Sequence, residues 1–169
     1  MSNTLALFWN LAATDREARI DASNELVNAL LQQSSDFGNV DDTTLMESPL
    51  SEQVTDDEVA GAEQRIDDAN TQDVSYAIRR LVRGLASPRE NARIGFAVAL
   101  SGLLTHLKTV SANDVLVLIL KYSVVHGNMN GQEVRDLQFA RLFGIYALVR
   151  SRLLYRCLLY TSPSPRDLS

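Results

Sequence analysis

The amino-acid sequence predicts an all-α protein built from packed pairs of helices. Apolar residues recur at intervals of three and four along most of the chain, which is the period of an amphipathic helix. No stretch shows the strict alternation of apolar and polar residues that is typical of a β-strand. Hydrophobic residues make up 46% of the 169 residues, which is ordinary for a folded protein and excludes a wholly disordered chain.

Residues 1–35 predict a helical hairpin. The first helix carries an apolar stripe formed by Leu5, Phe8, Trp9 and Ala12. Thr14 followed by Glu17 has the spacing of a capping box, in which each side chain binds a backbone N–H at a helix start, and predicts the start of the second helix. We interpret Trp9 as an anchor in the core or between helices, because large aromatic side chains bury much apolar area.

Residues 36–73 predict an acidic, disordered and mobile loop. This segment holds twelve acidic residues and Arg65 as its only base, and it shows no sustained helical period. Such a composition buries too little apolar surface to offset the entropy lost on ordering. Its paired aspartates would need a rigid framework to hold a metal ion, so no metal site is expected there.

Residues 74–156 predict successive helix pairs. The first helix has a continuous apolar stripe formed by Val74, Ala77, Ile78, Leu81, Val82 and Leu85. Ser87 and Pro88 match the N-cap and first position of the next helix, which extends to Leu107. Glycine inside a helix costs about 1 kcal/mol relative to alanine. Gly95 and Gly102 therefore predict a close approach of a neighbouring helix.

Two more helices follow in the same region. Ser111 with Asp114 predicts the start of the third, and the fourth runs from Gln132 to about Leu154. The fourth helix is apolar on two sides, a pattern typical of a helix lying between two neighbours. Successive helix–turn–helix units of about 40 residues predict HEAT/armadillo-like repeats, that is, an α-solenoid.

Charge is segregated along the chain. The net charge of -5 combines -2 in residues 1–35, -11 in residues 36–73 and +8 in residues 74–156. Five arginines recur at helical spacing and predict a basic face that binds nucleic acid or an acidic partner. They are Arg79, Arg80, Arg83, Arg89 and Arg93. Two alternatives remain open, a solvated face with local ion pairs such as Glu90 with Arg93, and a face that folds against the chain's own acidic segment.

No catalytic or cofactor-binding constellation stands out, so the sequence predicts neither an enzyme nor a bound cofactor. His106, His126 and Cys157 are too isolated in sequence to indicate a metal site, and Cys157 has no neighbouring motif for nucleophilic catalysis. Glycine-rich phosphate-binding motifs are absent. The longest aliphatic run, residues 115–120, is far shorter than the roughly 20 residues that span a bilayer.

Several blocks resemble the DNA polymerase V / Myb-binding protein 1A family. The longest block is VSYAIRRLVRGLASPRENARIGF at residues 74–96. Shorter blocks are GQEVRD at 131–136, RLFG at 141–144 and ALVRS at 147–151, and FWNLA at 8–12 fits the first helix of the family. The resemblance covers about residues 5–154, with the acidic segment as a variable insertion.

The resemblance implies a large helical-repeat protein of the nucleus and nucleolus. It implies a role in ribosomal RNA gene transcription and ribosome biogenesis, with DNA, RNA, transcription factors or assembly proteins as partners. Despite the polymerase name, it implies no working polymerase site. The alternative function is a pure protein-interaction scaffold without direct contact to nucleic acid. The oligomeric state is not implied.

The last thirteen residues require a separate interpretation. Residues 157–167, CLLYTSPSPRD, match the conceptual translation of a transposase-type sequencing adapter residue by residue. We therefore expect residues 157–169 to be an adapter-derived artefact and exclude them from the fold. On this interpretation the preceding residues are the front of a longer repeat protein, and the outer face of the fourth helix lacks its next repeat.

Overall fold

The computed structural model describes residues 2–34 and 54–155, and within these ranges the regular structure is entirely helical. Seven helices occupy the described ranges: α1 Ser2–Asn10, α2 Arg16–Ser34, α3 Asp56–Ala69, α4 Gln72–Gly84, α5 Glu90–His106, α6 Ala112–Tyr122 and α7 Gly131–Arg150. The prediction of an all-α fold is confirmed. The predicted tail at 157–169 lies outside the described residues, as do positions 36–53 of the predicted loop.

Six of the helices form three consecutive pairs, α1 with α2, α4 with α5, and α6 with α7. The second helix of each pair packs beside that of the next, so α5 lies between α2 and α7. Contacts at two points along α5 show that α2 and α5 run in the same direction. Gly95 lies against Leu11 just before α2, and Gly102 lies against Val27 within α2. One continuous apolar core joins all three pairs.

The predicted stripe on α4 is confirmed, because its six apolar residues are all buried. The expected close approach to α5 is also confirmed at Gly95, where an added Cβ would overlap the carbonyl oxygen of Leu11. At Gly102 an added Cβ would lie 3.4 Å from a methyl group of Val27, which is an ordinary contact. Of the two glycines, only Gly95 is required by close packing.

The prediction of a mobile loop is wrong for residues 56–69, which form α3. Thr55 and Glu58 make a capping box at its start, and these hydrogen bonds lower the pKa of Glu58. Val59, Ala62 and Ile66 recur at helical spacing and are buried. Val59 and Ala62 pack with Val117 of α6. This apolar stripe is short and stands among acidic residues, so composition alone does not reveal it.

Trp9 is not a core anchor, because it is 72% exposed. The buried side of α1 is formed instead by Leu7, Phe8 and Leu11. The observed apolar stripe is therefore turned about the helix axis relative to the predicted one. Leu5, which belonged to that stripe, is exposed as well. A helix this short allows two overlapping apolar stripes, and packing against α2 selects one of them.

Two predicted helix starts are displaced along the chain. Asp15, not Thr14, caps α2, since the backbone N–H of Ala18 donates a 2.8 Å hydrogen bond to Asp15 Oδ2. At α5 the N-cap is Arg89, whose side chain makes no capping bond. Ser87 Oγ instead accepts from the backbone N–H of Arg89, so the helix begins two residues beyond Pro88.

One side of α7 packs on α5 and α6, while its outer side is exposed. The exposed apolar residues on that side are Leu142, Ile145, Tyr146 and Val149. Within the described residues, the helix therefore has one covered apolar side and one exposed apolar stripe, and that stripe combines residues from both of the sides predicted from the sequence.

Candidate partner-binding surface

Helix α4 positions three of the five predicted arginines. Its apolar side is buried against α5, and its other side carries Arg79, Arg80 and Arg83. Because the helix turns about 100° per residue, these three side chains leave it in different directions. Each one meets a different neighbouring helix.

Arg79 is engaged by the acidic helix α3. Its Nη2 atom lies 2.6 Å from Asp67 Oδ2, and its Nε atom lies 4.0 Å from Glu63 Oε1. The side chain is only 21% exposed. The alternative that the basic face folds against the chain's own acidic segment is therefore confirmed for Arg79.

Glu63 also links α3 to α6. Lys121 Nζ lies 3.1 Å from Glu63 Oε1, and the hydroxyl of Tyr122 donates to the same oxygen at 3.3 Å. Arg83 Nη2 donates to the Tyr122 hydroxyl at 2.9 Å, and its guanidinium carbon stands 4.6 Å from the ring centroid. Arg83 stays exposed and lacks a carboxylate partner among the described residues. The contacts with Tyr122 therefore fix the position of the Arg83 guanidinium, while its charge stays exposed to solvent.

Arg80 ties α4 to α1. Its guanidinium carbon lies 4.4 Å from the centroid of the Phe8 ring, and its Nη1 donates to the Tyr76 hydroxyl at 2.8 Å. The two rings meet edge to face at 6.3 Å. Cation–π contacts of this kind hold an arginine in place without neutralising its charge. Arg80 therefore remains able to attract an anion.

Arg93 is not part of the basic face, contrary to the sequence-based prediction. Its side chain is 9% exposed and forms a 3.2 Å ion pair with Asp136 of α7. The Nη1 atom also donates to the Ser87 carbonyl at 2.7 Å, and the guanidinium stacks over Phe139 at 4.7 Å. Its partner is therefore Asp136 rather than the expected Glu90.

Arg89 is exposed, and no side-chain hydrogen bond or ion pair involves it in the part of the chain that the structure describes. It lies outside α5, at its N-cap, whereas Arg93 lies in the first turn. The i, i+4 spacing therefore does not place these two arginines on one helical ridge. Of the five predicted residues, only Arg80, Arg83 and Arg89 offer a charge without an acidic partner.

A further ion pair joins α3 to α6 through Arg65, which the sequence places in the predicted loop. Arg65 Nη2 lies 2.6 Å from Asp114 Oδ1, and Arg65 Nε donates to the same oxygen at 2.9 Å. The hydrogen bonds to Asp114 raise the pKa of Arg65 further above its usual value. Asp114 is also predicted at the start of α6, where its backbone N–H donates to Ser111 Oγ. Only the tertiary contact with α3 was not foreseen.

Within residues 2–34 and 54–155 no group of three or more histidine, cysteine, aspartate or glutamate side chains is placed to hold a metal ion. In the same ranges no helix is long and apolar enough to cross a membrane. Among the described residues, this surface is a helical framework on which Arg80, Arg83 and Arg89 lack a carboxylate partner.

Comparisons with known proteins agree with the resemblance in sequence. The family model described as DNA polymerase phi matches residues 76–159, and so extends three residues past position 156. The chain is 45% identical over 97 residues to the rDNA transcriptional regulator pol5 of Schizosaccharomyces pombe, covering 57% of this chain and 10% of that protein. It is 31% identical over 95 residues to the rDNA transcriptional regulator POL5 of Saccharomyces cerevisiae, covering 47% and 9%.

An animal relative aligns with a larger part of the chain. The chain is 27% identical over 153 residues to the Myb-binding protein 1A-like protein of Danio rerio, covering 90% of this chain and 9% of that protein. The chain therefore spans about a tenth of the length of these curated relatives. No solved structure matches it significantly.

Proposed function

The chain belongs to the DNA polymerase phi family, and we propose that it is a helical-repeat part of a nucleolar regulator of ribosomal RNA gene transcription and ribosome biogenesis. It performs this role by binding proteins and not by enzymatic chemistry. The observation that carries the proposal is the 45% identity to a relative named as a regulator of rDNA transcription. The name of the animal relatives, which refers to Myb binding, supports a protein partner.

We propose an α-solenoid as the architecture that serves this role. Three consecutive helix pairs, stacked with their second helices side by side, support it. The exposed apolar side of α7 also supports it, because a solenoid buries such a side against the following repeat.

The contacts of the arginines favour protein binding over direct nucleic-acid binding. Arg79 forms an ion pair with Asp67, and Arg93 forms one with Asp136. Nucleic-acid binding without sequence specificity depends on the number of cations that neutralise phosphates. Direct contact with DNA or RNA through Arg80, Arg83 and Arg89 remains the second candidate, because these three lack acidic partners among the described residues.

Affinity capture separates the two candidates. The tagged 169-residue chain is incubated with nuclear extract, with and without nuclease, and the captured proteins are identified by mass spectrometry. We expect components of the rDNA transcription machinery to be enriched and to stay bound after nuclease treatment. A matched chain with Arg80, Arg83 and Arg89 changed to glutamine is expected to capture the same proteins. Loss of these proteins after nuclease treatment would favour nucleic-acid contact instead.

A further inference from the structure

A polar groove lies between α2 and α5, and no residue of α4 lines it. It has a volume of about 310 Å³ and is lined along α2 by Ser23, Asn24 and Asn28, and along α5 by Ser101 and Thr105. Val27 and Gly102 meet at its base. Arg150 of α7 and His106 at the end of α5 also line it.

The groove holds polar groups with unused hydrogen-bonding capacity. Ser23 and Ser101 are each only 3% exposed. Within the described ranges, neither hydroxyl takes part in a hydrogen bond. Both hydroxyl oxygens remain accessible from the groove. Buried polar groups are nearly always satisfied, so a site with two unused hydroxyls favours a polar occupant.

The spacing of the polar residues fits an extended peptide. Asn24 and Asn28 are four residues apart, which is about 6 Å along a helix. Alternate residues of an extended chain repeat every ~6.7 Å. An asparagine amide offers both a donor and an acceptor, as a peptide unit requires. Ser101 and Thr105 repeat the four-residue spacing on the opposite wall, where Thr105 Oγ1 donates a 2.7 Å hydrogen bond to the Ser101 carbonyl and the Ser101 hydroxyl faces the groove.

The charge of the lining indicates the character of that peptide. No aspartate or glutamate is among the residues that line the groove, while Arg150 lies at one end. The Arg150 side chain is held by a 3.1 Å hydrogen bond from its Nη1 to the Tyr146 hydroxyl. A guanidinium favours a carboxylate through charge-assisted hydrogen bonds. One arginine is too few for nucleic acid, whose binding needs several phosphate contacts.

We propose that the groove between α2 and α5 binds an acidic peptide segment in extended conformation. The amides of Asn24 and Asn28 bind its main chain, and Arg150 binds one of its carboxylates. This inference rests on the proposed protein-binding role and assigns that role a site.

Fluorescence anisotropy with the purified 169-residue chain tests the proposal. The probes are fluorescein-labelled peptides of four Asp-Val repeats and, for comparison, four Lys-Val repeats. Valine favours an extended chain and suits the apolar base of the groove. We expect the acidic probe to bind at least about tenfold more tightly than the basic one. An acidic probe with alternate amide nitrogens methylated is expected to lose about tenfold, since it lacks main-chain donors.

Variants locate the binding. N24A/N28A and R150Q are each expected to weaken the acidic probe about tenfold. R135Q is the matched control, because it removes the same charge from an exposed position at the other end of α7 and is expected to have no effect. Gly102→Leu fills the groove from a position where a Cβ fits, and it is expected to abolish binding.

Equal affinity for the two probes, or equal loss in R150Q and R135Q, would overturn the proposal. So would unchanged binding in both N24A/N28A and Gly102→Leu. The peptide assay contains no factor of the rDNA transcription machinery. If no peptide binds, the result of the capture experiment is therefore unaffected. If the capture experiment yields no rDNA transcription factors, the peptide affinity measured with the purified chain is likewise unaffected.

Discussion

Replacing Gly95 by alanine is expected to lower the free energy of unfolding by about 3 kcal/mol or more, which is at or above the upper end of the usual cost of overpacking. The added Cβ would overlap the carbonyl oxygen of Leu11 and lie 2.9 Å from its carbonyl carbon. A side chain could rotate away from such a clash, but a backbone carbonyl moves only with the segment that joins α1 to α2. Chemical denaturation followed by circular dichroism measures the change.

Gly102→Ala is the matched control for Gly95→Ala, because both glycines lie in α5 and face the hairpin formed by α1 and α2. The new Cβ at position 102 makes only an ordinary contact with Val27. Alanine favours a helix over glycine by up to about 1 kcal/mol, so this variant is expected to be as stable as the parent or more stable. Equal effects of the two substitutions would contradict the close packing of α5 on Leu11.

Replacing Arg93 by alanine is expected to cost about 3–5 kcal/mol, which is the usual penalty for removing one partner of a buried ion pair. The substitution leaves the carboxylate of Asp136 buried with only the amide of Gln132 as a side-chain partner, at 3.1 Å. It also removes the stacking on Phe139 and the hydrogen bond to Ser87. Urea denaturation of the purified chain provides the measurement.

Arg89→Ala controls for the loss of an arginine near the same helix start. Its side chain is exposed, so the expected change is within about 0.5 kcal/mol. The double variant Arg93→Met/Asp136→Leu removes both charges together and is expected to recover much of the stability lost in Arg93→Ala. If Arg93→Ala is as mild as Arg89→Ala, the buried pair does not hold α5 to α7.

The helices with a dense apolar stripe were predictable from local sequence, and α4 is the clearest example. Helix α3 was not, because its three buried residues stand among acidic neighbours. Its order depends on contacts with distant residues such as Arg79 and Asp114. Local composition indicated a solvated segment, whereas the folded chain supplies the opposite charges.

The candidate surface was predictable only in part, for a similar reason. Spacing alone suggested that Arg89 and Arg93 share a ridge, but α5 begins between them. Arg93 then points into the interface with α7, where Asp136 lies 43 residues further along the chain. Sequence identifies which residues are charged, but the partner of each charge depends on tertiary packing. The groove between α2 and α5 is lined by residues from three helices. No short sequence motif therefore predicts it.

We propose that this chain binds proteins, because two of the five arginines expected on a basic face, Arg79 and Arg93, are paired with carboxylates within the fold. The salt dependence of binding to a short labelled DNA duplex tests this proposal. Each neutralised phosphate contributes a slope of about -0.9 to the logarithm of affinity against the logarithm of salt concentration. Of the five arginines, only Arg80, Arg83 and Arg89 lack a carboxylate partner within residues 2–34 and 54–155, so we expect weak binding with a slope no steeper than about -3. A slope of about -4.5 or steeper, which becomes less steep by about 0.9 in Arg79→Gln, would contradict this expectation.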